Sequence, residues 1–256
     1  MSEPSPALDI LDVHRRFGAT EVLRGVTLRI PAGQRVALIG PNGAGKSTLF
    51  DLVSGRGRPS RGEIRLHGRR IDGLAPEQVR ARGLSRSFQG SQLFARLSAF
   101  ENLRCAVLCA QRRGGVFWRF LESLGDVREQ AEALLGQVGL QSRRDVPAMH
   151  LAYAEQRALE IGLTLAGGPG VILLDEPTAG MSRSQSEGIL QLIRQASQGR
   201  TLLVVEHDME VVFDLADRIA VLDQGELVAF DTPEAIRANP RVRQAYLGAM
   251  AGGTGD

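Results

Sequence analysis

The stretch Gly40-Pro41-Asn42-Gly43-Ala44-Gly45-Lys46-Ser47 constrains this chain more than any other, because it fits G-x-x-x-x-G-K-[ST] in the setting that pattern needs. A strand-like apolar run at 36–39 precedes it and a helical run at 48–54 follows. Glycines let backbone N–H groups turn inward around phosphate oxygens, and the helix N-terminus adds the positive end of its dipole. Lys46 is placed to reach the β- and γ-phosphates of a nucleotide, and Ser47 to ligate Mg2+. Of 31 basic residues, Lys46 is the one lysine and the other 30 are arginine. An ammonium is a compact point charge that fits a tight phosphate cradle, whereas a guanidinium is a planar fork.

Around this loop, strand-like runs recur at 7–13, 26–30, 35–39, 63–66, 171–175, 201–205, 219–222 and 226–230. Helical stretches at 183–197 and 209–216 separate the later ones, which indicates an α/β fold with a parallel sheet. Asp223-Gln224-Gly225 reads as the turn of a terminal hairpin. The middle is helical: Ser98-Ala99-Phe100-Glu101 is a capping box opening a helix to Gln111, a second helix at 127–138 stops at Gly139, and a third runs over 154–166. The expected organisation is one domain over 1–256: a nucleotide-binding core at 1–89 and 158–248, a helical subdomain at 90–157, and a flexible tail at 249–256.

Composition removes other classes. No run approaches the roughly 18 apolar residues of a membrane-spanning helix, and no basic-then-apolar leader is visible at the start. Cys105 and Cys109 cannot build a disulfide framework, and without neighbouring ligands they make a poor zinc site. A net charge of +2 leaves no nucleic-acid footprint.

The run Val171-Ile172-Leu173-Leu174-Asp175-Glu176 is an apolar strand that delivers two acids at its C-terminal end, where α/β sheets place their ligands. Asp175 is the candidate Mg2+ ligand, and Glu176 the candidate general base toward the attacking water.

Taken in order, 40–47, Phe88-Gln89, 151–157, Asp175-Glu176-Pro177 and His207 resemble the nucleotide-binding subunit of an ABC transporter over residues 8–248. The resemblance implies a P-loop NTPase core with an N-terminal antiparallel β part and an inserted helical signature subdomain. It implies that Phe17 stacks on adenine and that ATP lies against Gly40 to Thr48. Gln89 would sense Mg2+ and water, and His207 would contact the γ-phosphate. Residues 179–182 would form the loop that meets the opposite subunit. It further implies membrane permease subunits, a homologous ATPase partner, a periplasmic solute-binding protein acting indirectly, and a place on the cytoplasmic face of the inner membrane. Arg86-Ser87-Phe88-Gln89, Leu93-Phe94, Phe100-Glu101-Asn102-Leu103, Glu206-His207-Asp208-Met209 and the ending 240–248 resemble, more narrowly, the branched-chain amino acid importer ATPases. Urea and amide importers share that pattern, and the ATPase of lipopolysaccharide export is a related relative.

One segment departs from the family. The signature, which closes over ATP bound by the other subunit, reads Leu151-Ala152-Tyr153-Ala154-Glu155-Gln156-Arg157 here. Ala152 replaces a serine hydroxyl and Ala154 replaces a glycine. A hydrogen bond to a charged group is worth about 1.5–3 kcal/mol. Two accounts stay open: a slow but working ATPase, or an asymmetric pair in which this signature serves the site that does not limit the cycle. A nucleotide-dependent switch with little hydrolysis is the remaining alternative. The segment 112–120, rich in arginine and aromatics, reads either as a contact with a membrane subunit or lipid, or as a packed surface loop.

Overall fold

A computed structural model describes residues 6–87, 93–111 and 125–242. The expected roles of Phe88 and Gln89, the segment 112–120 and the tail 249–256 lie outside them.

The chain opens with a long antiparallel hairpin, β1 (Pro6–Phe17) and β2 (Thr20–Pro31). β4 (Arg61–Leu66) and β5 (Arg69–Arg70) complete a four-stranded sheet in the order β2-β1-β4-β5. The second sheet has six strands in the order β10-β9-β3-β8-β7-β6. These are β3 (Arg35–Ile39), β6 (Leu84–Arg86), β7 (Val171–Asp175), β8 (Thr201–Val205), β9 (Arg218–Asp223) and β10 (Glu226–Asp231). All its pairings are parallel except β9 with β10. That hairpin turns at Gln224-Gly225, both at positive φ, and a Cβ on Gly225 would stand 2.3 Å from the Val22 carbonyl. Glycine is therefore required at this turn, where the second sheet meets β2.

Eight α-helical segments of six residues or more surround the sheets among the described residues: α1 (Lys46–Val53), α2 (Pro76–Ala81), α3 (Ala99–Ala110), α4 (Gly125–Gln137), α5 (Tyr153–Leu165), α6 (Arg183–Ala196), α7 (Met209–Leu215) and α8 (Pro233–Ala238). Helices α3, α4 and α5 fall between β6 and β7, as the helical run in the sequence indicates. α3 starts at the foreseen capping box, with the Glu101 N–H donating to Ser98 Oγ and the Ser98 N–H donating back to Glu101.

The parallel strands are buried on both faces, so their alternate residues divide between two cores. Ala37, Ile39, Ile172, Leu174, Leu202, Val204, Ile219 and Val221 join the core that includes α3, α4 and α5. Val36, Leu38, Val171, Leu173, Leu203, Val205, Ala220 and Leu222 join the core under the antiparallel sheet and α1. Helix α1 buries Leu49, Phe50, Leu52 and Val53 there, each worth about 1.5–3 kcal/mol of apolar burial. The phosphate-loop helix and the signature helix α5 are therefore rooted on opposite faces of one sheet.

Candidate active site

The strand order brings the expected residues together. β3, β8, β7 and β6 are neighbours running parallel, so their C-terminal ends share one edge of the sheet. β3 leads into the loop 40–45, β8 into Glu206 and His207, β7 ends on Asp175 with Glu176 next, and β6 ends on Arg86. This is where open α/β sheets bind ligands.

Gly40 sits so close to β9 that a Cβ would stand 2.0 Å from the Leu222 carbonyl, so only glycine lets the loop begin there. The loop ends at Gly45, the N-cap of α1. Lys46 is buried, and its Nζ donates to the Gly40 carbonyl at 2.7 Å and the Pro41 carbonyl at 2.9 Å. Burial lowers its pKa, against the opposing pull of the nearby Glu176 and Asp175 carboxylates. Ser47 is exposed at the first turn, where the helix dipole is positive.

Asp175 is almost fully buried. Its Oδ2 accepts from Arg86 Nη2 at 3.0 Å, while its Oδ1 is buried without a hydrogen-bond partner. Burial pushes the carboxyl up, and Arg86 pulls it back only in part. Glu176 has a φ of 47°, a conformation that costs a non-glycine residue about 1–3 kcal/mol and is met at functional sites. Its N–H donates to the Val205 carbonyl at 2.9 Å, and its Oε1 lies 2.8 Å from His207 Nε2. His207 is held where it is because Asp208 caps α7, accepting from the Glu210 N–H.

Sequence reasoning gave Glu206 no role beyond its place in the run Glu206-His207-Asp208-Met209. It is 3% exposed. Its Oε1 accepts from the Thr178 N–H at 3.0 Å and hydroxyl at 2.8 Å, and its Oε2 from the His207 N–H at 3.2 Å. Burial raises its pKa. Glu206 thus ties the turn after Glu176 to the strand that carries His207. The signal was present, because the apolar run Thr201-Leu202-Leu203-Val204-Val205 is followed by an acid just as 171–174 is.

Phe17 is expected, from the resemblance, to stack on adenine. It is 53% exposed at the end of β1, with the Arg15 guanidinium 4.4 Å from its ring centroid. It is a surface aromatic and no part of the core.

The signature sits at the start of α5 with Ala152 as N-cap. Half of a capping box survives: the Ala152 N–H donates to Glu155 Oε2 at 2.9 Å, which holds the Glu155 carboxyl below its ordinary pKa. The other half needs a side-chain oxygen that alanine lacks. Tyr153 is exposed, and its hydroxyl donates to the Ala179 carbonyl at 2.9 Å, joining the signature to the loop after Glu176. Leu151 is buried and Ala154 half-buried.

Comparison with known proteins identifies the family. The ABC transporter family model matches residues 23–179, and a model described as the branched-chain amino acid ATP-binding cassette transporter matches 226–251. The high-affinity branched-chain amino acid transport ATP-binding protein LivG of Salmonella typhimurium is 38% identical over 251 residues, covering 95% of this chain and 98% of its own length. BraF of Pseudomonas aeruginosa, named for the same transport, is 38% identical over 254 residues with the same coverage. Among solved structures, the ADP conformation of an ATP-binding cassette of an ABC transporter superposes with a TM-score of 0.85 at 25% identity, covering 95% of this chain and 99% of that one. The chain belongs to the ABC transporter family, as one of its ATP-binding, ATP-hydrolysing subunits.

Proposed function

We propose that the chain drives import of branched-chain amino acids, hydrolysing ATP in a pair of subunits docked on the cytoplasmic side of a membrane permease. The transport class rests on the relatives named for it and on the C-terminal match at 226–251. The observation that carries the hydrolytic reading is the Glu176–His207 pair at 2.8 Å, set on the sheet edge beside Lys46.

ATP lies with its phosphates against Gly40, Pro41, Asn42, Gly43, Ala44, Gly45, Lys46, Ser47 and Thr48, and its adenine on Phe17. Lys46 already points its ammonium across the loop, so turning from two backbone carbonyls to phosphate oxygens needs only side-chain rotation. Glu176 accepts a proton from the attacking water, and His207 donates a hydrogen bond to the γ-phosphate while steadying Glu176. Mg2+ fits at Asp175 Oδ1, the buried oxygen left without a partner, with the Ser47 hydroxyl and Gln89 as further ligands. Bound there, it neutralises charge developing on the phosphates. A donor set of one carboxylate, a hydroxyl and an amide suits Mg2+, which keeps waters and substrate phosphates as its other ligands.

Because α1 and α5 root on opposite faces of the sheet, one chain does not bring both its phosphate loop and Leu151, Ala152, Tyr153, Ala154 and Glu155 onto one nucleotide. A second ATPase subunit supplies the signature. With the Ala152 hydroxyl missing, a partner subunit that differs from this chain is the favoured arrangement. The permease docks at a groove of about 530 Å3 between the core and the helical subdomain, lined by Arg56, Arg80, Phe94, Cys105 and Cys109 among others. No helix among the described residues is long and apolar enough to cross a membrane, which suits a peripheral subunit.

The test is steady-state ATP hydrolysis by the purified chain, alone and with its ATPase and permease partners. Glu176→Gln is expected to lower turnover by at least about 100-fold and leave nucleotide binding intact. Turnover that survives Glu176→Gln would refute the assignment of the base. Binding without turnover in any assembly would support the switch reading instead.

A further inference from the structure

The proposed mechanism leaves the chemistry of Arg86 unused. It ends β6, an edge strand of three residues, yet its side chain is only 6% exposed. Nη2 donates to Asp175 Oδ2 at 3.0 Å. Nη1 donates to Asp51 Oδ1 at 2.6 Å and to Ser54 Oγ at 3.0 Å. The Ser54 hydroxyl spends its own proton on the Phe50 carbonyl at 2.7 Å, so its lone pairs face the guanidinium. The ring of Phe50 lies 5.4 Å beneath. One planar fork thus joins the phosphate-loop helix α1, the edge strand β6 and the carboxylate at the end of β7. The next residue strengthens the link, since Ser87 Oγ accepts from the Asp175 N–H at 3.2 Å.

We propose that Arg86 is a positioning residue for the cation carboxylate: it engages Asp175 Oδ2 so that Oδ1 alone faces the nucleotide's metal. The inference rests on the reading of Asp175 as a Mg2+ ligand. Charge supports it. Arg86 brings one positive charge against Asp51 and Asp175, so the three retain a net negative charge, and the unpartnered Oδ1 is where a cation would meet it. Geometry supports it as well. Asp175 is buried to 1% exposure, and turning its second oxygen away would break the charged hydrogen bond from Arg86 Nη2 to Oδ2. A lysine at position 86 would keep the charge but lose the simultaneous grip on Asp51, Ser54 and Asp175.

Mn2+ reports on this directly. Its affinity for the ADP-bound chain is read from the loss of the free-Mn2+ electron paramagnetic resonance signal, and ADP affinity in EDTA is read separately. Arg86→Lys is expected to weaken Mn2+ binding by roughly 10-fold, at the low end of what a charged hydrogen bond contributes, with ADP affinity in EDTA within about twofold of the parent. Arg86→Met separates positioning from simple charge. If Arg86 only neutralised Asp175, removing its charge would tighten Mn2+ binding, whereas positioning requires weaker binding in both variants. Arg86→Met leaves a buried unpaired carboxylate and can fail to fold; Arg86→Lys alone then decides. Parent-like Mn2+ affinity in Arg86→Lys, or tighter binding in Arg86→Met, overturns the proposal. Asp175→Asn is the reference: if it does not weaken Mn2+ binding, the reading of Asp175 falls and Arg86 falls with it. If it does while Arg86→Lys behaves as the parent, only Arg86 falls.

Discussion

Restoring a serine at position 152 has two consequences that can be measured apart. Ala152 is the N-cap of α5, with φ −63° and ψ 157°, next to φ −65° and ψ 165° at Ser98, the N-cap of α3. At Ser98 the hydroxyl accepts from the Glu101 N–H at 3.2 Å, and the matching Glu155 already returns the reciprocal bond to the Ala152 N–H. The backbone is therefore set for the missing half. An N-cap Ser is worth about 1 kcal/mol over Ala (range about 0.5–2). Ala152 is exposed, so the hydroxyl has no desolvation cost to offset. For a domain of this size, 1 kcal/mol corresponds to a rise in Tm of about 2–4 °C. Ala152→Ser is expected to give that rise in circular dichroism melts without nucleotide. In Ala152→Ser, Ala154→Gly the rise is expected to vanish, because glycine inside a helix costs roughly 0.5–1 kcal/mol relative to alanine. Turnover follows the other consequence. A serine hydroxyl accepts from the cap with a lone pair and keeps its proton for the partner site's γ-phosphate. A bond of about 1.5–3 kcal/mol there accelerates hydrolysis by roughly 10- to 150-fold, if this signature limits the cycle. An unchanged Tm in the single variant would refute the capping argument. A raised Tm with unchanged turnover in the full assembly would assign this signature to the non-limiting site.

Other perturbations test separate parts. Gly40→Ala places a Cβ 2.0 Å from the Leu222 carbonyl, and the backbone shift is expected to weaken binding of a fluorescent ADP analogue by at least about tenfold; parent-like binding would mean that the loop does not sit against β9. Tyr153→Phe removes the bonds to the Ala179 carbonyl and Arg157, worth about 0.5–1.5 kcal/mol, so amide exchange over 177–183 is expected to speed up by roughly 2- to 10-fold; unchanged exchange would show that the phenol does not hold this loop. Burial alone would raise the Asp217 carboxyl, but Arg35 side-chain and backbone donors outweigh it and hold the pKa below the ordinary range. A lowered folded-state pKa adds stability that is fully present above about pH 4 and lost as pH falls through the folded value. Asp217→Asn is therefore expected to melt lower at pH 7, with the gap to the parent closing below about pH 4; a gap independent of pH would refute the pairing.

What the sequence showed and what it hid follow from the range of the forces involved. The loop 40–47 was legible because its residues are contiguous and the lone lysine acts within it, donating to Gly40 and Pro41, six and five residues away, even though Gly40 itself packs against Leu222 of β9. The buried strands were legible because burial on both faces writes a continuous apolar run, as in Val171–Asp175. β6 wrote none. Its three residues include one aliphatic side chain, and its ladder is supplied by Val171–Leu173, far along the chain. α2 likewise buries only Val79 and starts on Pro76, too little for a period to emerge. The polar links were hidden for a stronger reason. Arg86 meets Asp51 across 35 residues and Asp175 across 89, Glu206 meets Thr178 across 28, and Tyr153 meets Ala179 across 26. No spacing rule connects such pairs, because they are set by which strands become neighbours. The strand order decides them: once β8 lies between β3 and β7, an acid at the end of β8 must be buried beside the turn that follows β7. Buried polar groups find partners or cost stability, so Glu206 and Arg86 are residues that the topology, rather than the local sequence, selects. That is why the phosphate-loop motif was legible alone, while the residues that hold the motifs in register needed the fold.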